Sequence, residues 1–262
     1  MDKRLRTSSF ANEDFELTNG ISPSNIALVF AGGRGTRSMA NGGLPKQFLE
    51  LHGKPILIYT LEHFERHDEI DGIIVVCIES WIPAMRQMLH DFGITKVVDI
   101  VPGGKTSQDS IYNGLCIASR RYSANSIVLV HDGVRPLIDS RTISDNLAQV
   151  REFRSCITAY PATETVLINN DTESFSIPDR SKLLLARAPQ GFLLKDLVDA
   201  HELARQDNRH DFVDTCSLMH SYGYPIHTII GRPDNIKITT PMDYFIFKAI
   251  VEINSIQNVL ES

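Results

Sequence analysis

The sequence predicts an α/β fold built on a doubly wound, mostly parallel sheet. Short apolar runs of strand length alternate with segments of helical periodicity through about residue 155. Continuous apolar runs are typical of strands that are covered on both faces, as in a parallel sheet. A regular alternation of strands and helices favours right-handed crossovers within one sheet. The chain of 262 residues is long enough for one such domain.

Each element follows from its local pattern. The strands predicted in this first part are Asn25–Ala31, Gly72–Ile78, Lys96–Val101 and Ser126–His131. The predicted helices are Pro55–Phe64, Ile82–Phe92, Asp109–Arg121 and Arg141–Phe153. In the third helix Ile111, Leu115 and Ala118 fall on one face, as in a helix that packs on a sheet. Because such folds bind ligands beyond the carboxyl ends of their strands, reactive residues are expected directly after strands.

The pattern changes after Thr163. Short β-like stretches follow at Thr165–Ile168, Ser174–Ile177 and Leu183–Ala188, with turn-forming residues between the first two. We interpret about residues 163–192 as a protruding β-hairpin arm, which is marginal alone and is expected to pack on another chain. The remaining predicted elements are the helices Leu193–Arg205, Asp214–Tyr222 and Pro241–Ile256 and the strand Tyr224–Ile230. Residues 25–257 thus form a single domain, and residues 1–24 form a polar N-terminal extension that we expect to be flexible.

Composition excludes several classes of protein. The chain carries 26 Lys and Arg against 32 Asp and Glu, a net charge of −6, whereas nucleic-acid-binding proteins usually have a basic excess. No apolar run reaches the roughly 18 residues of a membrane span, and the N-terminus lacks the apolar stretch of a signal peptide. The four cysteines form no C-x-x-C pair, which argues against a disulfide framework or a cysteine zinc site. We therefore expect a cytoplasmic protein that binds no nucleic acid.

The strongest chemical feature directly follows the first strand and reads Ala31-Gly32-Gly33-Arg34-Gly35-Thr36-Arg37. Three glycines let the backbone approach a ligand and turn its N–H groups toward an anion, and two arginines add positive charge. The alternative is a plain turn between a strand and a helix. The spacing is not a dinucleotide-binding fingerprint, because Ser38 stands where Gly or Ala is needed.

Three further motifs carry charged residues at predicted strand ends or in loops. Lys46 lies in Leu44-Pro45-Lys46-Gln47, Asp132 opens Asp132-Gly133-Val134-Arg135-Pro136, and Lys237 lies in Asp234-Asn235-Ile236-Lys237-Ile238-Thr239. Each has an ordinary alternative when taken singly: a solvated lysine, or an aspartate that caps a turn and pairs with the nearby arginine. Together with the glycine loop they favour phosphoryl or nucleotidyl transfer, in which positioning and charge neutralisation do most of the catalysis.

Taken in order, these motifs resemble the IspD/TarI family of sugar-alcohol-phosphate cytidylyltransferases, over roughly Ile26 to Val251. The resemblance implies a Rossmann-like nucleotidyltransferase fold, CTP and a polyol phosphate as substrates, Mg²⁺ as cofactor, and a homodimer joined through the arm. It implies nucleotide contacts at Ala31, Gly32, Gly33, Gly35, Gly104 and Ser110.

The resemblance also assigns roles to the charged residues. Arg37, Lys46 and Lys237 would stabilise the charge that develops at the α-phosphate of CTP, and Asp132 would coordinate Mg²⁺. The acceptor would lie against Asp132, Arg135, Arg180 and Asp214. Because the arm reaches across the dimer in this family, Arg180 would serve the site of the partner subunit.

Two branches of the family differ in their acceptor. The segments Phe30-Ala31-Gly32-Gly33, Arg187-Ala188-Pro189-Gln190 and Val213-Asp214-Thr215 resemble the branch that makes CDP-ribitol from D-ribitol 5-phosphate for teichoic acids or capsules. One alternative is the branch that acts on 2-C-methyl-D-erythritol 4-phosphate in isoprenoid synthesis. Another is a CTP-binding protein without turnover, since Ser107 stands in place of the family's arginine and Val213 in place of a usual threonine.

Overall fold

The structure is a computed structural model that describes residues 22–32, 44–170 and 174–260. Its strands are β1 (Asn25–Ala31), β2 (Glu50–Leu51), β3 (Lys54–Pro55), β4 (Gly72–Cys77), β5 (Val97–Pro102), β6 (Ile127–Asp132), β7 (Ser155–Pro161), β8 (Ile168–Asn169), β9 (Phe175–Ser176), β10 (Leu184–Leu193) and β11 (Thr228–Ile230). Its helices are α1 (Ile56–Glu65), α2 (Ile82–Asp91), α3 (Ser107–Arg121), α4 (Ser140–Phe153), α5 (Leu194–Gln206), α6 (Thr215–Ser221) and α7 (Pro241–Leu260).

One sheet of seven strands has the order β11-β7-β10-β6-β1-β4-β5. β1 runs parallel to β4 and β6, β4 runs parallel to β5, and β11 runs parallel to β7. β10 alone in this sheet is antiparallel, and it pairs with both β6 and β7. The α/β class and the mostly parallel sheet predicted from the sequence are therefore confirmed.

Helices cover both faces of this sheet. On β1, Ala27 and Val29 belong to the buried cluster that includes α1, α2 and α4, whereas Ile26 and Leu28 belong to the cluster that includes α3, α5 and α6. All four side chains are fully buried. Because successive side chains of a strand point to opposite faces, a strand covered on both sides must be apolar at every position. This explains the continuous apolar run from which β1 was predicted.

The strand β7 was not predicted. Arg154 alone separates it from α4 and adopts a left-handed conformation with φ 66°, so the helical pattern runs directly into the strand. The strand also contains a buried polar residue, Thr158, whose hydroxyl donates to Pro189 O (2.9 Å) and accepts from Asn146 Nδ2 (2.9 Å). These bonds satisfy a polar group inside the core, and a purely apolar pattern cannot reveal them.

Part of the segment predicted as an arm belongs to the central sheet instead. The strand predicted at Leu183–Ala188 extends to Leu193 and lies in the central sheet, where Phe192 is buried in the core. The part of the predicted arm that lies outside this sheet is the two-stranded pair of β8 and β9 with the segments that flank it. Exposed apolar side chains occur there at Leu167, Ile168, Phe175 and Ile177, and at the start of β10 at Leu184 and Leu185.

The helix α7 packs through Phe247 against Ile56, Val134 and Ile238, which fixes the segment that carries Lys237.

Among the helices that the structure describes, none has the length and apolar composition needed to span a membrane. Of the predicted N-terminal extension, residues 1–21 lie outside the described residues.

Candidate active site

Two parallel strands bring the first site residues to one edge of the sheet. The register of β1 and β6 pairs Phe30 with Asp132. One residue further, Gly133 N donates to Phe30 O (2.8 Å), which fastens the loop after β6 to the end of β1. Ala31 and Asp132 therefore lie side by side at the carboxyl edge, where doubly wound sheets bind their ligands.

Asp132 is the centre of a largely buried charge cluster. Lys237 Nζ lies 2.6 Å from Asp132 Oδ1, and Arg135 Nε lies 2.8 Å from Asp132 Oδ2. Burial by itself would raise the pKa of the Asp132 carboxyl, but Lys237 and Arg135 outweigh it and hold this pKa well below its usual range. Two cations share one carboxylate, so the cluster keeps a positive excess that can receive a phosphate.

The neighbouring His131 contributes no charge. Burial lowers the pKa of its imidazole to about 3, so the ring is neutral at physiological pH. The ring lies edge-on to Phe64, with 5.2 Å between the ring centroids, and Nε2 is 3.3 Å from Arg135 O. His131 therefore supports the loop that carries Arg135 and does not act as a cation.

Lys237 is held on a fixed backbone. The buried Asn235 donates from Nδ2 to Ala188 O (2.8 Å), and Ile238 N donates to Val134 O (2.9 Å). The Lys237 side chain is 41 % exposed and extends from this support to Asp132. The sequence motif contains Asn235 but did not reveal this role, because the burial of its amide is visible only in the structure.

The turn that carries Lys46 is fastened at two points. The buried Gln47 donates from Nε2 to Ala31 O (2.7 Å), at the end of β1. The ring of Phe48 stacks on that of Trp81 with a centroid separation of 4.2 Å, which ties the turn to the segment after β4. The half-buried Lys46 therefore lies next to the strand end from which the glycine loop starts, as the sequence predicted.

A cleft of about 680 Å³ lies on the other side of β1, where glycines and hydroxyl residues line it together with the apolar Phe30 and Ile78 and the charged Glu79 and Lys105. Its walls include Gly32, Gly103, Gly104, Thr106 and Ser110. A Cβ atom on Gly104 would lie 2.4 Å from Asp109 Cβ, so this position admits no side chain without a shift of the loop.

The hydroxyl of Ser110 shapes this cleft. Its Oγ donates to Thr106 O (2.8 Å) and accepts from Gly104 N (2.9 Å). The same turn is closed by a capping box, in which the Thr106 side chain accepts from Asp109 N and Asp109 accepts from Thr106 N. Ser110 thus supports the wall on which the sequence predicted nucleotide contacts.

A second cavity, of about 220 Å³, is charged. Asp132, Arg135 and Lys237 line it, together with Asp214 from the start of α6. Phe30 and Ser107 line both this cavity and the cleft, so the two are adjacent. The cleft is lined by one acidic and one basic side chain, Glu79 and Lys105, whereas the cavity is lined by more cations than carboxylates. A nucleoside would fit the first and phosphate groups the second, as nucleotidyl transfer requires.

Asp214 is oriented by a residue that the sequence did not single out. Gln190, buried on β10, donates from Nε2 to Asp214 Oδ2 (3.0 Å) and accepts at Oε1 from Cys216 N (2.8 Å). The other oxygen of Asp214 accepts from Ser217 N (2.8 Å) as the N-cap of α6. Asp214 therefore combines a place on the cavity wall with a structural role. The signal for Gln190 was its position next to Pro189 in a segment that resembles the family.

Not all predicted residues are brought together. Arg180 lies on the arm, is exposed, and donates from Nη1 to Thr163 O (3.1 Å), away from the cavity of its own chain. Its predicted role in the site of a partner subunit stays a prediction. Gly33, Gly35 and Arg37 lie outside the described residues.

The described residues could bind Mg²⁺ only together with a nucleotide that supplies the other ligands of the ion. Among them, no group of three or more His, Cys, Asp or Glu side chains could hold a metal. Both oxygens of Asp132 are already paired with cations. Because Mg²⁺ is usually bound by one or two carboxylates plus substrate phosphates, a triphosphate would supply most of its ligands here.

The fold and the two adjacent cavities define a nucleotidyltransferase. The chain belongs to the family described as IspD, 2-C-methyl-D-erythritol 4-phosphate cytidylyltransferase, which matches residues 25–253. It is therefore a cytidylyltransferase-family enzyme, as the sequence motifs predicted.

Similar proteins come from both branches of this family. A ribitol-5-phosphate cytidylyltransferase of Vibrio parahaemolyticus is 50 % identical over 87 % of this chain and 96 % of its own length. One of Streptococcus agalactiae is 41 % identical over 87 % of this chain and 95 % of its own. A 2-C-methyl-D-erythritol 4-phosphate cytidylyltransferase of Clostridium botulinum is 35 % identical over 87 % and 97 %.

Solved structures agree with the fold. The 4-diphosphocytidyl-2C-methyl-D-erythritol synthase of Anaerococcus prevotii is 25 % identical with a TM-score of 0.76, over 88 % of this chain and 99 % of its own. The 2-C-methyl-D-erythritol 4-phosphate cytidylyltransferase of Francisella tularensis is 29 % identical with a TM-score of 0.70, over 86 % and 100 %.

Proposed function

We propose that this protein transfers CMP from CTP to D-ribitol 5-phosphate and forms CDP-ribitol and pyrophosphate. The observation that carries the proposal is the cationic cavity around Asp132, Arg135 and Lys237, directly beside a larger cleft whose wall includes Gly32, Gly104 and Ser110. The choice of acceptor is supported by the relatives at 41 and 50 % identity, whose names specify ribitol 5-phosphate. The product would serve teichoic acid or capsule synthesis, and the reaction would take place in the cytoplasm, where CTP is available.

In this reaction an oxygen of the acceptor phosphate attacks the α-phosphorus of CTP in line, and pyrophosphate leaves. The attacking phosphate is already anionic, so no side chain has to remove a proton. Lys46 and Lys237, with Arg37 from outside the described residues, would stabilise the charge that grows on the α-phosphate oxygens. Ala31, Gly32, Gly33, Gly35 and Gly104 would hold the nucleotide through backbone contacts, and Ser110 would keep their loop in shape.

Mg²⁺ would be bound by the triphosphate and by Asp132. When bound, the ion supplies Lewis-acid charge neutralisation of the phosphate oxygens. Both oxygens of Asp132 are paired, but Lys237 is the more exposed partner, at 41 % against 11 % for Arg135. The oxygen that pairs with Lys237 would therefore be the one open to exchange.

The test is a pyrophosphate-release assay with CTP and a panel of acceptors. We expect turnover with ribitol 5-phosphate that exceeds turnover with 2-C-methyl-D-erythritol 4-phosphate, and little release without an acceptor. Preference for 2-C-methyl-D-erythritol 4-phosphate would instead support the isoprenoid branch, which the Clostridium botulinum relative represents at 35 % identity. CTP binding without pyrophosphate release from any acceptor would indicate a protein that has lost turnover.

We also propose that the enzyme is a homodimer whose arms complete the partner's sites. The support is the exposure of apolar side chains on the arm, such as Phe175 (61 %) and Ile177 (65 %), and the position of Arg180 outside its own cavity. Exposed apolar surface of this kind is typical of an interface.

A hybrid dimer distinguishes the two possible placements of Arg180. We expect Arg180→Ala and Lys237→Ala homodimers to be nearly inactive and their mixture, after exchange of subunits, to recover part of the activity. In the hybrid, one site combines an intact Lys237 with an intact Arg180 from the other chain. If Arg180 served its own chain, both hybrid sites would be defective and no activity would return.

A further inference from the structure

Arg187 lies on the wall of the charged cavity, and none of the roles described so far includes it. The pairing of β10 with β7 shifts register between Ala186 and Gln190, so residues 187–189 leave the regular ladder. Arg187 lines the cavity together with Arg135 and Lys237 and does not line the nucleoside cleft. It therefore lies away from the cleft, on the same wall as Arg135 and Asp214, the residues that the family resemblance places against the acceptor.

Two guanidinium groups converge at this point. Arg135 Nη1 and Arg187 Nη1 both donate to the same carbonyl oxygen, Asn235 O, at 3.0 and 3.4 Å. Like charges this close repel each other unless an anion lies between them. Burial and the proximity of Arg135 lower the pKa of Arg187 accordingly.

Of this pair, Arg135 has a carboxylate partner, whereas among the described residues no carboxylate forms an ion pair with Arg187; the nearby Asp234 pairs with Arg232. Three cations line the cavity, and Asp132 already pairs with Arg135 and Lys237. The other carboxylate on the wall, Asp214, accepts from Gln190 and from the first turn of α6. A cationic excess in a half-buried cavity matches the dianion of a phosphate monoester.

The guanidinium of Arg187 is held in place with one edge unused. Its hydrogen bonds to described residues all come from Nη1, to Arg232 O (2.9 Å), Pro233 O (2.9 Å) and Asn235 O. Its Cζ stacks 4.7 Å from the centroid of the Tyr160 ring. The edge formed by Nε and Nη2 has the two parallel N–H groups that bind a phosphate in bidentate fashion.

We propose that Arg187, together with Arg135, binds the phosphate of the polyol phosphate acceptor within the same subunit and so contributes to acceptor specificity. The inference rests on the proposed function, because it assigns a substrate group to that site. Arg187 would supply N–H donors beside Ala188, whose methyl side chain has none. Since Arg187 does not touch the nucleoside cleft, its effect should fall on the acceptor and not on CTP.

The experiment compares Arg187→Leu and Arg187→Lys with wild type, and Arg141→Leu is the control. The Arg141 side chain is 87 % exposed, and among the residues that the structure describes its ion pair is the i,i+4 pair with Asp145 on α4. For Arg187→Leu we expect the KM for ribitol 5-phosphate to rise about 10- to 100-fold, the loss expected for one charge-assisted hydrogen-bonding group. The KM for CTP should change less than about 3-fold, Arg187→Lys should lie between, and Arg141→Leu should match wild type.

A purely structural role predicts a different pattern. If Arg187 only anchors residues 232–235, both substitutions would displace Lys237, lower kcat and alter the KM for CTP to the same extent. That pattern, or an unchanged acceptor KM in Arg187→Leu, would overturn the inference while the proposed function stands.

Failure of the proposed function has its own signature. If wild type releases no pyrophosphate with any polyol phosphate, binding of inorganic phosphate in the presence of CTP is measured by ³¹P NMR titration. Weaker phosphate binding in Arg187→Leu, with unchanged binding in Arg141→Leu, would still support an anion site at Arg187. Equal binding in wild type and Arg187→Leu would exclude it.

Discussion

The strongest prediction concerns Lys237→Ala, which removes one cation and leaves its partner Asp132 paired with Arg135 at 2.8 Å. A unit charge about 4 Å from a charge that develops in the transition state contributes about 4 kcal/mol at an effective dielectric constant of 20. This corresponds to a factor on the order of 10³ in rate, and preorganised donors removed from other enzymes cost about 10²–10³. We therefore expect kcat to fall by about 10²–10³.

The stability of the fold should be affected much less by Lys237→Ala than kcat is. The Lys237 side chain is 41 % exposed, and Asp132 keeps its second partner, so the melting temperature should fall by only about 2–4 °C. The matched control is Lys195→Ala, which removes a lysine that pairs with Asp199 at 2.5 Å on the surface of α5. Pyrophosphate release by Lys195→Ala should equal that of wild type. A Lys237→Ala enzyme that is folded and keeps kcat within about 3-fold of wild type would refute the role of Lys237.

Three further predictions test other parts of the structure. Gly104→Ala should raise the KM for CTP at least about 10-fold, because the new Cβ would lie 2.4 Å from Asp109 Cβ and displace the loop. An unchanged KM would show that the loop can move without affecting CTP binding. Gln190→Met should raise the KM for the acceptor more than that for CTP, because it releases Asp214; equal effects on both would contradict this. Burial lowers the pKa of His201 to about 4, so between about pH 6.5 and 4 the unfolded chain binds a proton that the folded chain does not. Urea unfolding should therefore show stability falling by about 1.4 kcal/mol per pH unit from this residue as pH drops through that window. His201→Phe should reduce the slope by that amount and leave the contribution of His131, whose pKa is also lowered, in place.

The parallel part of the sheet could be predicted because its strands are covered on both faces. β1 and β4 are apolar at nearly every position, and this signal is local to each strand. The strands β7 and β10 depend on distant partners instead. Thr158 becomes acceptable in a buried strand only because Asn146 and Pro189 satisfy its hydroxyl, and no local pattern encodes that arrangement.

The same distinction holds for the site. Asp132 could be assigned because the carboxyl ends of parallel strands meet at one edge, and Lys237 through its motif. Gln190 and Arg187 stand in a segment that resembles the family, but their contacts in the site could not be predicted, because β10 enters the sheet antiparallel and inserts between β6 and β7. Their position beside Asp214 and Arg135 follows from that insertion, which is a non-local pairing.

Asp132 explains how several cations can be kept together before any phosphate is bound. Lys237 and Arg135 are both positively charged and would repel each other. The Asp132 carboxylate holds them together, with its two oxygens 2.6 Å from Lys237 and 2.8 Å from Arg135. Under the proposed function, a bound triphosphate would compete with Asp132 for the same ammonium group, so the ion pair would weaken the binding of the nucleotide in its ground state. In the transition state the oxygens around the α-phosphorus would carry more charge and attract Lys237 more strongly. The pairing with Asp132 would then shift the use of Lys237 from substrate binding toward transition-state stabilisation, which is the difference on which kcat depends.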